Sequence, residues 1–182
     1  KNHDICDIQM EVILNEDPKP VYLESIRKLA DKKNIILIFD ECTSGFRETY
    51  GGLHIKYGLN PDIAIFGKAL GNGYAISAVV GKKEIMMEAQ STFISSTFWT
   101  ERIGPTAALK TLEVMEREES WKKITSTGLK IQENWQKLAD KHELKIIHTG
   151  IAALAGLEMS SDNSLAYKNY IAQEMLSKGE YE

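Results

Sequence analysis

Asp40 and Glu41 close a run of five apolar residues, Ile35 to Phe39, in the stretch "IILIFDECTSGFR". Lys68 follows a second apolar run, "DIAIFG", 28 residues after Asp40. Ligands of doubly wound α/β sheets sit at the carboxyl ends of the strands, so an acid and a lysine at two such ends can face one pocket. The same two side chains can instead form a structural ion pair, and position alone leaves both readings open. A third chemistry also begins this way: in nucleotide triphosphatases an apolar strand ends in an aspartate that holds Mg²⁺. That chemistry requires a phosphate loop of the form G-x-x-x-x-G-K-[ST]. "GKALGNGYAIS" carries its lysine beside the wrong glycine and "GKKEI" lacks the hydroxyl, so the reading survives only if the loop lies outside these residues.

The elements that must position these groups are legible from pattern. "IQMEVIL" reads as a strand, "NEDPKP" as a loop marked by Pro18 and Pro20, and residues 21 to 33 as a helix. That helix is expected to present Leu23, Ile26, Leu29 and Ala30 on one face. "NIILIFD" is apolar on both faces, as in a strand buried within a parallel sheet. A glycine-bearing loop region covers 43 to 61, and "DIAIFG" and "ISAVVG" follow as short strands. Alternating strands and helices predict an α/β layered sheet. From about 101 the chain turns helical, with Ile103, Ala107, Leu112 and Met115 roughly aligned. A second helix over 120–140 carries Trp121, Ile124, Gly128, Ile131, Trp135 and Leu138 as an apolar stripe. Two short strands, "LKIIHTG" and "IAALAGLEM", precede a helix over 164–178 that Gly179 stops. The charged stretch "EREES" marks a boundary near 117, dividing 1–117 from 118–182.

Composition narrows the classes. The 182 residues are 43% hydrophobic and 26% charged, ordinary for a globular protein. A net charge of −4 without any Lys/Arg block argues against a nucleic-acid partner. No apolar stretch approaches the roughly 18 residues of a membrane span, and the first residues lack a signal-peptide pattern. Cys6 and Cys42 form neither a metal spacing nor a disulfide framework, so a reduced, cytoplasmic setting is the default expectation. The chain opens inside an apparent strand and stops soon after a helix, and is therefore expected to be a piece of a longer protein.

Taken in order, "LIFDECTSGFR", "GLNPDIAIFGKALGNGYAISAVVG" and "SSTFWTERIGPTAALKTLEVME" closely resemble the class III aminotransferases. These are fold-type-I enzymes dependent on pyridoxal 5′-phosphate (PLP), and the group includes glutamate-1-semialdehyde aminomutases. The resemblance runs from about residue 7 to 160 and is densest between 35 and 115. It implies a three-layer, mostly parallel sheet of the large PLP-binding domain, followed by part of a smaller α+β C-terminal domain. Such an enzyme needs a lysine amine for a Schiff base with the cofactor aldehyde and a carboxylate beside the pyridine nitrogen. The resemblance places Lys68 and Asp40 in those roles. It also places Cys42 against the ring, and Thr97 with Ser96 at the cofactor phosphate of a partner subunit in a homodimer. An amino donor and a carbonyl acceptor are the implied substrates. Amino transfer, a 2,1-aminomutase and an inactive remnant or interaction domain of this fold all stay open.

Other positions follow with less force. Glu11 matches a family glutamate, and a structural role serves it equally. Glu41 is expected to be a structural partner. Cys42 stands where relatives carry valine, Thr43 where they carry Gln or Met, and "WTER" replaces "GGNP". Trp99, Glu101 and Arg102 in that stretch point either to an unusual substrate or to dimer packing. A helix cap is the plain alternative for Thr97. Trp121 and Trp135 read as core or domain-interface residues. His54, His142 and His148 read as scattered without partners, solvated or locally bonded. Arg47 suits a substrate carboxylate, although a structural salt bridge with a nearby acid is the favoured expectation. Relatives are about twice as long and carry their phosphate cup and ring-stacking aromatic ahead of residue 1, so these residues alone are expected to bind PLP poorly.

Overall fold

The computed structural model describes residues 5–13, 17–19 and 21–180. Leu14 and Pro20, assigned above to a strand and a loop, lie outside the described residues. Four strands, β1 (Asp7–Glu11), β2 (Ile36–Glu41), β3 (Ile63–Phe66) and β4 (Ala78–Gly81), form one sheet in that order. β1, β2 and β3 run parallel and β4 runs antiparallel to β3. The sheet is thus mixed and mostly parallel, as expected of this α/β class.

Between β1 and β2 the chain crosses over through α1 (Tyr22–Lys33), which buries Leu23 and Ala30. Leu29 is exposed, so the buried face of α1 is narrower than its pattern suggests. The pleat sends Leu37, Phe39 and Glu41 of β2 to one side, where each is fully buried. Ile36, Ile38 and Asp40 point to the other side and are half-buried. The buried side carries the main core, where Leu37 and Phe39 pack with Val12, Leu23, Ala30, Leu53 and Leu59. Asp62 pins the opposite, amino-terminal edge. It accepts from the Leu37 amide (2.8 Å) and pairs with Arg27 (2.9 Å) and Lys82 (2.6 Å). Burial alone would raise its carboxyl pKa, but these hydrogen bonds and the Arg27 charge outweigh burial and lower it.

After β4 come a short helix α2 (Lys83–Glu88), then α3 (Ile103–Glu118) and α4 (Ser120–Lys141). α3 buries Gly104 and Ala108 and packs Leu112 beside Phe66 and Leu70. The buried face is turned from the expected one, leaving Ile103 exposed, because the small residues sit closest to the sheet-end turn. Glu119 adopts a left-handed conformation (φ 48°) and lets α4 leave α3 in a new direction, next to the expected boundary. The α4 stripe is only partly covered: Gly128 is buried, Trp121 and Trp135 are half-buried, and Ile131 and Leu138 are exposed. Strands β5 (Ile146–Thr149) and β6 (Gly156–Met159) pair antiparallel. Much of "IAALAGLEM" is not strand: Ala152–Leu154 form a 3₁₀ turn pressed against α4. α5 (Ser164–Ser177) ends where Gly179, at φ 77°, bonds back to the Leu176 carbonyl.

Candidate active site

β2 and β3 are in register with Asp40 beside Ile65, so Asp40 and the turn after β3 share the carboxyl end of the sheet. The Asp40 carboxylate accepts from the Cys42 amide at 3.0 Å, which holds it over the start of the following loop. Beyond β3, Gly67 is buried and extended, and any Cβ there would stand 3.0 Å from the Cys42 sulfur. A bare backbone at 67 is what lets the β3 turn pass this close to β2. Lys68 then opens a 3₁₀ turn (Lys68–Leu70) at φ 37°. A non-glycine residue there costs about 1–3 kcal/mol, a strain that clusters at functional sites. Its conformation is fixed by the Gly71 and Asn72 amides, which bond the Lys68 carbonyl.

The Lys68 amine donates to the Thr43 hydroxyl at 2.7 Å. Asp40 and Lys68 therefore reach the adjoining residues Cys42 and Thr43 from two strand ends. Among the described residues they form no ion pair with each other, which removes the plain structural reading of the pair. Thr43 was legible in the sequence only as a departure from relatives; its bond to the lysine needed the structure. The Cys42 thiol is pushed up by burial, then by the Asp40 charge and its hydrogen bond to Asp40; Lys68 opposes this and Glu11 adds to it. The thiol stays protonated at neutral pH and is a poor nucleophile there. Glu11 lies opposite Asp40 in the β1–β2 register, on the same half-buried side.

Glu41, one residue on, belongs to different work. Its fully buried carboxylate accepts from the His54 amide (2.9 Å), from His54 Nδ1 (2.8 Å) and from the Ser44 hydroxyl. His54 is thus not without a partner: it is buried and holds Glu41 from 13 residues away. His148 meets Gln136 at 3.2 Å, and His142 is exposed. Arg47 also departs from expectation. Among the described residues arginine ion pairs belong to Arg27 and Arg117, and Arg47 instead donates its Nε to the Thr43 carbonyl at 3.3 Å.

Ser96 and Thr97 stand in an exposed segment, with the Ser96 hydroxyl accepting from the Phe98 amide at 3.2 Å. Among the described residues neither forms a hydrogen bond with Asp40 or Lys68. Neither caps α3, because Glu101 does so, accepting from the Ile103 amide and from the Gly104 amide at 2.9 Å. Glu101 therefore has a structural occupation, whereas Trp99 is exposed. Among the described residues no cluster of metal-ligating side chains occurs and no helix is long and apolar enough to cross a membrane.

The family described as Aminotransferase class-III matches residues 2–180. The chain belongs to that family. It is 40% identical over 152 residues to a 3-aminobutyryl-CoA aminotransferase of Cloacimonas acidaminovorans, covering 83% of this chain and 37% of that protein. It is 33% identical over 179 residues to a glutamate-1-semialdehyde 2,1-aminomutase of Natranaerobius thermophilus, covering 90% of this chain and 41% of that one. The class-III chain thus spans about two fifths of the length of these curated relatives. Its fold is that of the FumI protein of Sphingopyxis sp. MTA144, solved in a PLP internal aldimine form (TM-score 0.90, 23% identity, 98% of this chain and 44% of that one). An S-selective transaminase from Arthrobacter sp., solved with alanine bound, is 26% identical with a TM-score of 0.72 over 88% of this chain and 36% of that one.

Proposed function

We propose that the protein containing these residues is a PLP-dependent aminotransferase that moves an amino group from an amino donor to a carbonyl acceptor, with Lys68 as its covalent and proton-transferring residue. The observation that carries this is the arrangement of Asp40 and Lys68: two strand ends deliver a carboxylate and a free amine to the Cys42–Thr43 segment without pairing them. The residues fit the cofactor by their chemistry. PLP, when bound, supplies an aldehyde that takes up amino groups and a protonated ring that draws electrons from the substrate carbon. Asp40 would hold the proton on the ring nitrogen, being a carboxylate fixed by a backbone amide. Lys68 would meet the aldehyde with its Nζ and, once released, carry a proton at that atom as general acid and base. Cys42, protonated and small, would pack on the ring as a hydrophobe of valine-like size. Thr43 steers the Lys68 amine by accepting its hydrogen.

Ser96 and Thr97 would serve the cofactor phosphate of a second subunit. Their exposure supports an assignment across a dimer interface. The 33% identity to a glutamate-1-semialdehyde 2,1-aminomutase favours a second reading, in which the amine returns to the same carbon skeleton. Conversion of an amino aldehyde without an added acceptor would select that reading over intermolecular transfer.

Visible absorption of the full-length protein on adding PLP is the test. Wild type is expected to develop a band for lysine-bound cofactor that Lys68→Ala lacks. No band in either protein overturns the proposal in favour of an inactive member of the fold. Asp40→Ala is expected to keep the band while losing turnover by on the order of a hundredfold or more.

A further inference from the structure

Glu48 lies in the loop that follows Thr43, and its side chain is only 9% exposed. Taking a carboxylate this far out of water is costly unless its oxygens are bonded. One oxygen meets Lys56 Nζ at 2.8 Å, and the other accepts the Ala152 amide at 3.0 Å, from 104 residues further along the chain. Ala152 opens the 152–154 turn, and its own carbonyl lies against Gly128 of α4. The turn is thus held between Glu48 on its amide side and α4 on its carbonyl side.

A second contact joins the same loop to α4. The Tyr50 and Trp121 rings lie with their centroids 5.2 Å apart, and the Tyr50 hydroxyl donates to the Leu112 carbonyl of α3 at 3.3 Å. The loop is closed on itself: the Phe46 amide donates to the Gly51 carbonyl at 2.7 Å, and the Thr49 hydroxyl to the Gly52 carbonyl at 2.8 Å. Arg47 ties it back to the Thr43 carbonyl, and the Thr43 hydroxyl takes the Lys68 amine. One end of the loop therefore touches Lys68 and the other carries α4. A cleft of about 420 Å³ opens beside Lys68. Phe46, Ala69 and Asn72 line it from the strand-end turns, and Met115, Ser120 and Ile124 from α3 and α4. No strand ladder connects these two groups, because β1–β4 and β5–β6 are separate sheets. The width of the cleft is set by how α4 rests on the loop.

We propose that Glu48 is a positioning residue that sets the width of the cleft beside Lys68, and with it the bulk of the substrate that reaches the lysine. The inference rests on the amino-transfer reading, since Lys68 is the group that the width serves. With Glu48 in place, the Ala152 turn is drawn to the loop, and α4 behind it keeps Ser120 and Ile124 in the cleft wall. Without it, Ile151 still anchors the turn in the main core and the fold survives. The Ala152 amide then lacks its acceptor, the turn tilts, and the wall moves outward.

Two measurements on the full-length protein test this in wild type, Glu48→Ala and Glu48→Gln. Amide hydrogen exchange at Ala152, which needs no cofactor, is expected to be at least about tenfold faster in Glu48→Ala. Glu48→Gln keeps an acceptor for that amide and is expected to stay near wild type. With PLP added, hydroxylamine and O-benzylhydroxylamine discharge the Lys68-dependent visible band, and the ratio of their rates measures the bulk that the cleft passes. Glu48→Ala is expected to raise the benzyl-to-parent ratio at least fivefold, and Glu48→Gln to leave it within twofold. Ala152→Pro removes the donor instead, at the first position of a 3₁₀ turn that follows an extended residue, where proline is accommodated. It is expected to raise the ratio as Glu48→Ala does, and it decides the matter if Glu48→Ala fails to fold. A purely structural Glu48 would shift the unfolding midpoint and leave the ratio alone. An unaltered ratio, or equal Ala152 exchange in wild type and Glu48→Ala, overturns the proposal. A band with an unaltered ratio sinks this inference alone, whereas no band in wild type sinks the amino-transfer reading and this one with it.

Discussion

Asp40 and Glu41 are neighbours in sequence, yet the pleat of β2 sends them to opposite sides of the sheet. Asp40 faces the half-open side with Glu11, while Glu41 is sealed against His54 and Ser44. An ionised carboxylate only accepts, so His54 Nδ1 must carry the hydrogen between them. Burial pushes the Glu41 pKa up, but the bonds from His54, Ser44 and the backbone outweigh that and hold it below its ordinary value of 4.5. A carboxyl with a lowered folded-state pKa contributes stability that is fully present above the unfolded value and is lost as pH falls through the folded one. Urea unfolding between pH 7 and 3 is therefore expected to show stability falling below about pH 4.5. Glu41→Gln should flatten that fall, leaving the part due to Asp62, whose pKa is also lowered. An unchanged slope would refute the assignment. His54→Ala leaves a buried carboxylate without its main partner and is expected to cost roughly 3 kcal/mol at pH 7. The sequence showed Asp40 and Lys68 through their places after apolar runs. It hid His54, because a partner 13 residues away through a loop leaves no periodic trace.

At the scale of elements, strands β1 to β3 and the helices α1, α3 and α4 were visible as apolar patterns, since each repeats its burial over several residues; α5 buries no residue and was legible only through its bounds. Faces were read less well. In α3 and α4 the buried positions are the small ones, Gly104, Ala108 and Gly128, with larger apolar neighbours left exposed. A pattern that scores bulk misses contacts made by the absence of a side chain. Gly128 is the sharpest example: a Cβ there would overlap the carbonyl oxygen of Ala152, where the 152–154 turn presses on α4. Backbone cannot swing aside as a flexible side chain does, so Gly128→Ala is expected to destabilise by roughly 3 kcal/mol despite alanine's better helix propensity. Denaturant melts monitored by helix ellipticity check this. A stabilised variant would show that the turn is free to move away from α4. The same close approach explains why "IAALAGLEM" begins as a turn, since a strand at 152–154 would carry its backbone off the helix.

For the whole molecule, what the sequence could not display is which surfaces stay open once the sheet and helices have packed. Phe93 is 94% exposed, Leu109 71% and Trp99 68%, with Phe98, Ile94 and Ile103 exposed nearby in the chain. Apolar exposure of this kind suits a surface that a partner covers. Ser96 and Thr97 lie inside this segment, so a second subunit covering it would gain their hydroxyls for its own site. A dimer that shares its active sites in this way predicts that assembly and cofactor retention fail together. Trp99→Glu places a charge where an aromatic anchor is expected, a loss of about 2 kcal/mol or roughly 30-fold in Kd. Sedimentation equilibrium of the full-length protein should show a wild-type dimer and a Trp99→Glu variant dissociating at concentrations where wild type holds together. Equilibrium dialysis in the same range should show PLP lost from the variant as it dissociates, and recovered when protein concentration is raised. On the proposed assignment of its hydroxyl to the ligand and not to the contact, Thr97→Ala should instead weaken PLP retention while leaving the dimer intact. A wild-type monomer that keeps its cofactor would overturn the shared-site arrangement and leave the 93–109 surface without this role.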